Sequence, residues 1–191
     1  MADLKKRCIK AVLRIGVTGH RALPDEALVR SGVREVLDRL GRLPGGAHST
    51  FVVISPIAEG SDRIVAEEVL GRPGCVSRLE AVLPLPEEDY VADFQAAGSR
   101  AAFARLKGLA ASVVSLQDTP AKSDSERQAA YEAAGRYIVD YCDVLVAVWD
   151  GLPSRGRGGT AEIVRYADSL GRPYFRISPE TGEIVEKWPD G

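Results

Sequence analysis

The sequence predicts a three-layer α/β/α fold, Rossmann-like, on a mostly parallel sheet of about six strands. Three observations predict it. Short apolar, β-branched runs recur along the chain; longer segments with helical spacing separate most of them; and Gly, Pro, Asp and Ser cluster where such elements begin and end. Parallel neighbours need a long crossover, and the crossover helices then cover both faces of the sheet.

The strands are expected in "AVLRIGVTG" (11–19), "FVVISPIA" (51–58), "RLEAVLPL" (78–85), "SVVSL" (112–116), "DVLVAVWD" (143–150) and "PYFRIS" (173–178). Helical spacing fills 25–40, 61–70, 87–108, 124–141 and 159–170. In the first of these, Leu28, Val33, Val36, Leu37 and Leu40 share one face, and Asp25 after Pro24 marks its start. Ser123 with Glu126 has the spacing of a capping box at the head of 124–141. "GRPG" (71–74) and "GRPY" (171–174) each close a helix before the next strand, as turn chemistry and not as a repeat. The stretch 41–50 reads as a surface loop, and 178–191 as a short hairpin tail turning around Thr181 and Gly182. In "LPLPEEDYVADF" (83–94), Pro84 and Pro86 end a strand, while Leu85 and Tyr90 are read as core residues, with stacking on a ligand as the alternative.

A chain of 191 residues is expected to form a single domain spanning 1–191. Lys and Arg number 25 against 27 Asp and Glu, a net charge of −2, so no general attraction to nucleic acid or membrane is expected, and any anion site must be local. The three cysteines, Cys8, Cys75 and Cys142, are odd in number and far apart, with two histidines to help them. That pattern argues against a disulfide framework or a metal site and fits a reducing cytoplasm. Arg14 interrupts the apolar stretch after the basic start before it reads as a signal-peptide core, and no run reaches the ~20 apolar residues of a membrane span.

Ligands of open parallel sheets bind beyond the carboxyl ends of the strands, near the point where strand order reverses. Three segments leaving those ends stand out. "VTGHR" (17–21) combines Gly19, which admits close backbone approach, with the hydrogen-bonding Thr18 and His20 and the guanidinium of Arg21; a plain βα turn is the competing reading. "PIAEGSDRIVAEE" (56–68) has Glu59 and Gly60 just ahead of a helix that Ser61 or Asp62 caps. In "VWDGLPSRGRGGTAE" (148–162), Asp150 ends a strand, Arg155 and Arg157 lie in the loop, and Gly158, Gly159 and Thr160 open a helix with Glu162 in its first turn. Uncovered amides at a helix N-terminus suit a phosphate. No GxxxxGK[ST] loop occurs, and no GxGxxG follows the first strand, so a kinase, an ATPase or an ordinary NAD dehydrogenase is disfavoured and no cofactor is expected.

Taken together, the order "VTGHR", "PIAEGSDRIVAEE", "LPLPEEDYVADF", "SERQAAYEAAGRYIVDYCDVLVAVWDG" and "GRGGTAEIVRYA" resembles the SLOG superfamily over roughly residues 12–177. That group includes the lonely-guy phosphoribohydrolases, often labelled lysine decarboxylase-like, and the ligand-binding domains of bacterial nucleotide-signalling and defence systems. Gly158, Gly159, Thr160 and Glu162 match the hydrolases' GGxGTxxE motif without its spacing glycine. The Arg-Lys pair of those hydrolases has no counterpart in "ERQAAYEAAGRYIVDYC", where Arg127 and Arg136 stand. The "VWDG" ending is more similar to the stand-alone and defence-associated branch.

The resemblance implies a cytoplasmic, nucleotide-binding domain. A nucleotide or nucleotide-derived ligand, of the kind used in nucleotide signalling, would sit at the C-terminal edge of the sheet. Gly158, Gly159 and Thr160 would hold its phosphate with Arg155 or Arg157 above, and Asp150 or Glu162 would accept ribose hydroxyls. Thr18, Gly19, His20, Arg21, Glu59, Gly60 and Ser61 would form the other wall. The alternative is hydrolysis of a nucleoside monophosphate's N-glycosidic bond, with Glu162, then Glu59, stabilising the oxocarbenium-like state and Arg127 or Arg21 as phosphate or base partner. A homodimer is expected, with the helix bearing Tyr131, Tyr137, Ile138 and Tyr141 as core or dimer face, and an effector protein is a candidate partner. Nucleic acid is not expected as a ligand, since no basic and aromatic stripe occurs.

Overall fold

The computed structural model describes residues 12–43, 50–94, 97–153 and 158–189. Seven strands form one sheet: β1 (Val12–Gly19), β2 (Thr50–Ser55), β3 (Ser77–Leu83), β4 (Ser112–Ser115), β5 (Val144–Val148), β6 (Tyr174–Ile177) and β7 (Ile184–Lys187). Their order is β4-β3-β2-β1-β5-β6-β7. All neighbours are parallel except β6 and β7, the two arms of the C-terminal hairpin. The seventh strand is therefore the returning arm of the tail, which joins the sheet edge through Tyr174↔Lys187 to Ile177↔Ile184.

Six helices connect the strands: α1 (Glu26–Arg42), α2 (Ser61–Leu70), α3 (Glu87–Val91), α4 (Ala97–Leu109), α5 (Asp124–Tyr141) and α6 (Thr160–Ser169). The alternation of each strand divides the core between the two faces. Leu13, Ile15 and Val17 of β1, with Phe51 and Val53 of β2, meet α1 and α2, whose Val33, Leu37, Ile64 and Val69 are fully buried there. Ile54, Val82 and Leu145 point the other way and pack on Ile138 and Val139 of α5 and Ile163 and Ala167 of α6.

The helix starts are where the sequence places them. Asp25 Oδ1 accepts the Leu28 N–H at 3.0 Å, and Ser123 Oγ accepts the Glu126 N–H at 3.2 Å. Glu126 reaches back one residue further than a capping box requires, accepting the Lys122 N–H at 2.7 Å.

The expected helix over 87–108 is instead two helices. In one continuous helix Phe94 and Phe103, nine positions apart, would point to opposite sides, since each residue advances the helix by about 100°. Ending α3 at Val91 lets both rings pack on Tyr90, with centroids at 5.0 and 5.8 Å. All three rings are buried, and Arg100 Nε donates to the Phe94 carbonyl at 2.8 Å, fixing the return. Leu85 and Tyr90 are core residues, each fully buried. Among the described residues no helix is long and apolar enough to cross a membrane.

Candidate functional site

Strand order reverses between β1 and β5: β1 is followed through the chain toward β2 on one side, and β5 toward β6 on the other. The loops leaving these two strands diverge to opposite faces and leave a crevice between them. A cavity of about 590 Å³ occupies that position, within the range of small-molecule sites. Its walls come from the exit of β1 (Thr18, Gly19, His20, Arg21), the β2–α2 turn (Pro56, Ala58, Asp62), α5 (Tyr131, Ala134, Gly135, Ile138), the exit of β5 (Trp149, Asp150, Leu152) and the start of α6 (Gly158, Gly159, Thr160).

The wall at α6 is an open helix N-terminus. Gly159 is the N-cap residue in extended backbone, φ −74° and ψ 163°, and no side chain caps the helix. The first helical bonds run from the Glu162 and Ile163 amides to the Gly159 carbonyl, so the amides of Thr160 and Ala161 precede the ladder. Gly158, at φ +77°, is wedged against α5: a Cβ there would lie 2.8 Å from the Glu132 nitrogen. Glycine is the residue that combines that conformation with that approach.

The β1 exit is tied to α2. His20 donates its N–H to the Val148 carbonyl at 3.2 Å, holding the loop to β5. The His20 carbonyl accepts from the Ser61 amide at 3.1 Å and from Ser61 Oγ at 2.8 Å. Ser61 therefore opens α2 and stitches two loops together, while Gly60 takes the N-cap position. Arg21 extends over the Tyr131 ring, 5.0 Å from its centroid. Tyr131 in turn donates its hydroxyl to Asp93, and burial, followed by that carboxylate, pushes the phenol up to about 12.

Ile57, a buried β-branched residue, is held at φ +50° in the β2–α2 turn. Its N–H bonds Ser55 Oγ at 2.9 Å, and its carbonyl accepts from Arg63 Nε at 3.1 Å. Strain of this kind persists where the surroundings over-determine it, and here it lies between two cavity residues, Pro56 and Ala58. Asp62, one turn later, is buried at 7% exposure and borders the cavity. Burial pushes its carboxyl up to about 7, against the opposing pull of the Arg21 charge, the Ala58 N–H and the Arg63 charge.

Of the residues singled out in the sequence, Thr18, Gly19, His20, Arg21, Asp150, Gly158, Gly159 and Thr160 meet at the cavity. His20 Nε2 and Asp150 Oδ1 approach to 3.6 Å, and Asp150 also accepts the Leu152 N–H at 2.9 Å, ordering its own loop. Glu59, Gly60, Ser61 and Glu162 do not border it. Glu59 instead accepts from Ser99 Oγ. Glu162 accepts the Gly158 N–H at 2.7 Å and faces an outer groove with Arg136 and Arg165. Arg127 is paired with Asp89 and Asp93. Arg155 and Arg157, like Cys8 and most of the 41–50 loop, lie outside the described residues. From the sequence Asp62 is expected as a helix cap and Tyr131 as core or dimer face. The sole signal for either was a polar group on an otherwise buried helix face. Tyr137 and Tyr141 lie farther along α5, with rings 4.3 Å apart and Tyr141 exposed.

No family model matches the chain, and no curated protein matches it. Among solved structures, it is similar to a conserved domain protein of Vibrio cholerae O1 biovar El Tor at 12% identity, over 87% of this chain and 74% of that one, with a TM-score of 0.22. A likeness so slight carries no argument about the site.

Proposed function

We propose that the protein binds a nucleotide or nucleotide-derived ligand in the cavity between β1 and β5, as the resemblance to the SLOG superfamily implies. The observation that supports this most directly is the uncapped N-terminus of α6 facing, across the strand-order reversal, the guanidinium of Arg21 within one cavity. The amides of Thr160 and Ala161 and the helix dipole favour an anion at one end. Arg21, always charged and braced on Tyr131, adds a planar donor fork. Glu162 has already taken the Gly158 amide, so the phosphate site begins one residue later than the motif alone suggests. Binding is favoured over hydrolysis because neither Glu162 nor Glu59 lines the cavity; Glu162 is engaged with the Gly158 amide and Glu59 with Ser99.

The reading is tested by native mass spectrometry with nucleoside monophosphates, dinucleotides, ADP-ribose and cyclic nucleotides, followed by titration of any ligand that forms an adduct. Gly159→Val is expected to weaken binding at least 10-fold, since its backbone angles accept a side chain that then fills the phosphate end. Arg21→Ala is expected to cost about 10- to 100-fold. Unaltered affinity in both variants would put the anion elsewhere. Release of free base by the wild-type protein would establish hydrolysis instead.

A further inference from the structure

Asp62 stands apart among the described carboxylates. It is more than nine-tenths buried, yet it borders the cavity. Its two oxygens offer about four acceptor positions. Among the described residues the Ala58 N–H is the one donor that faces them; Arg21 and Arg63 act through their charge, and no described side chain bonds or pairs with the carboxylate. The buried Tyr90 hydroxyl is directed elsewhere, to the Pro56 carbonyl at 3.2 Å. Buried polar groups are as a rule hydrogen-bonded, and one left short of donors needs a reason.

The position of Asp62 supplies one. It enters the cavity from the β2 side of β1, while Gly159 and Thr160 enter from the β5 side. Two strand spacings, about 10 Å, separate those flanks, comparable with the reach of a nucleoside monophosphate. A second anionic group of the ligand would be repelled at Asp62, so this end suits neutral donors. We propose that Asp62 selects the ligand, accepting a pair of adjacent O–H or N–H donors from the end of the nucleotide opposite its phosphate. The inference rests on the nucleotide reading and deepens it. Two parts of a nucleotide carry such donors: the vicinal hydroxyls of the ribose and the amino edge of the base. Either would replace the solvation that burial denies the carboxylate, whose charged surroundings are Arg21 from the β1 exit and Arg63 on its own helix.

The test is calorimetric titration of wild-type protein and Asp62→Asn with AMP and GMP. Beside them are run the 2′-deoxy forms and two analogues lacking the exocyclic amine, purine riboside monophosphate for AMP and IMP for GMP. Asparagine keeps the shape and one acceptor but loses the paired acceptors. The variant is expected to bind the preferred nucleotide about 10- to 100-fold more weakly. Wild-type protein is expected to lose a similar factor for one class of analogue, the deoxy forms if the ribose donates or the amine-deficient forms if the base does. Asp62→Asn should be indifferent to that same change, which a merely structural role would not produce. Equal affinity of variant and wild type, or an equal loss for every ligand, would overturn the role of Asp62 while leaving nucleotide binding standing. Silence of the wild-type protein toward all six would overturn this inference, and silence toward the dinucleotides, ADP-ribose and cyclic nucleotides as well would overturn the nucleotide reading itself.

Discussion

Asp62→Asn is expected to raise the unfolding free energy at pH 8 and to leave it almost unchanged at pH 4. In the folded chain the carboxyl is held up to about 7 by burial, whereas in the unfolded chain an aspartate titrates near 4. Between those values the folded state keeps a proton that the unfolded state has released. The contribution of Asp62 to stability is therefore full below about pH 4, declines as pH rises toward 7, and is level above it. A difference of about three pH units corresponds to about 4 kcal/mol. Asparagine retains an acceptor for the Ala58 N–H and carries no charge, so most of that loss should return, about 2–4 kcal/mol at pH 8. Glu68 and Asp89 are held below the ordinary carboxylate range by their surroundings and work in the opposite sense, but they are common to both proteins and cancel in the difference. Urea unfolding at pH 4, 6 and 8 checks this. Parallel pH profiles for the two proteins would show that Asp62 ionises normally. The expected gain also bears on function, since a residue that weakens the fold at neutral pH is one that a binding site has reason to keep.

The fold was legible because its signals are local and repeated. Every expected strand overlaps an observed one with its ends within three residues, and Asp25 and Ser123 cap their helices with the predicted bonds. What periodicity could not show was the break between α3 and α4. The helical spacing of 87–108 is satisfactory as a pattern, and the break is imposed by a tertiary requirement, the meeting of Tyr90, Phe94 and Phe103.

The site was legible in part, and the division follows from backbone against side chain. Glycines and strand ends locate where the backbone can leave a crevice, which is why Thr18, Gly19, Gly158 and Gly159 converge. Side-chain direction is a different matter. Glu162 lies one turn into α6, and nothing in its spacing tells whether it faces the cavity or returns to the Gly158 amide, as it does. Asp62 is the converse. A polar residue in the first turn of a helix usually reads as a solvated partner of the dipole, and its burial follows from the β1 exit folding down on α2 through His20 and Ser61, a contact between residues 41 positions apart.

That contact makes Gly60 the position where a single methyl group should do most harm. Gly60 sits at φ +75° and ψ −122°, a conformation L-residues rarely adopt, and a Cβ there would lie 2.2 Å from the Arg21 carbonyl oxygen and 2.6 Å from that of His20. Neither oxygen can withdraw freely, because the His20 carbonyl accepts two bonds from Ser61 and the His20 amide is tied to Val148. Gly60→Ala is expected to cost about 3–5 kcal/mol, backbone strain and overpacking each contributing a share. Gly74→Ala separates the two terms. Gly74 has nearly the same φ, +77°, with nothing within 4 Å of an added Cβ, so it should show the strain alone, about 1–2 kcal/mol. If the two variants unfold at the same urea concentration, the packing of α2 against the β1 exit is looser than the structure indicates. If Gly60→Ala is the weaker by the expected margin, its residual folded population should also bind nucleotide poorly, because the displaced segment carries Arg21 into the cavity. Addition of saturating ligand should then restore less stability to Gly60→Ala than to Gly74→Ala.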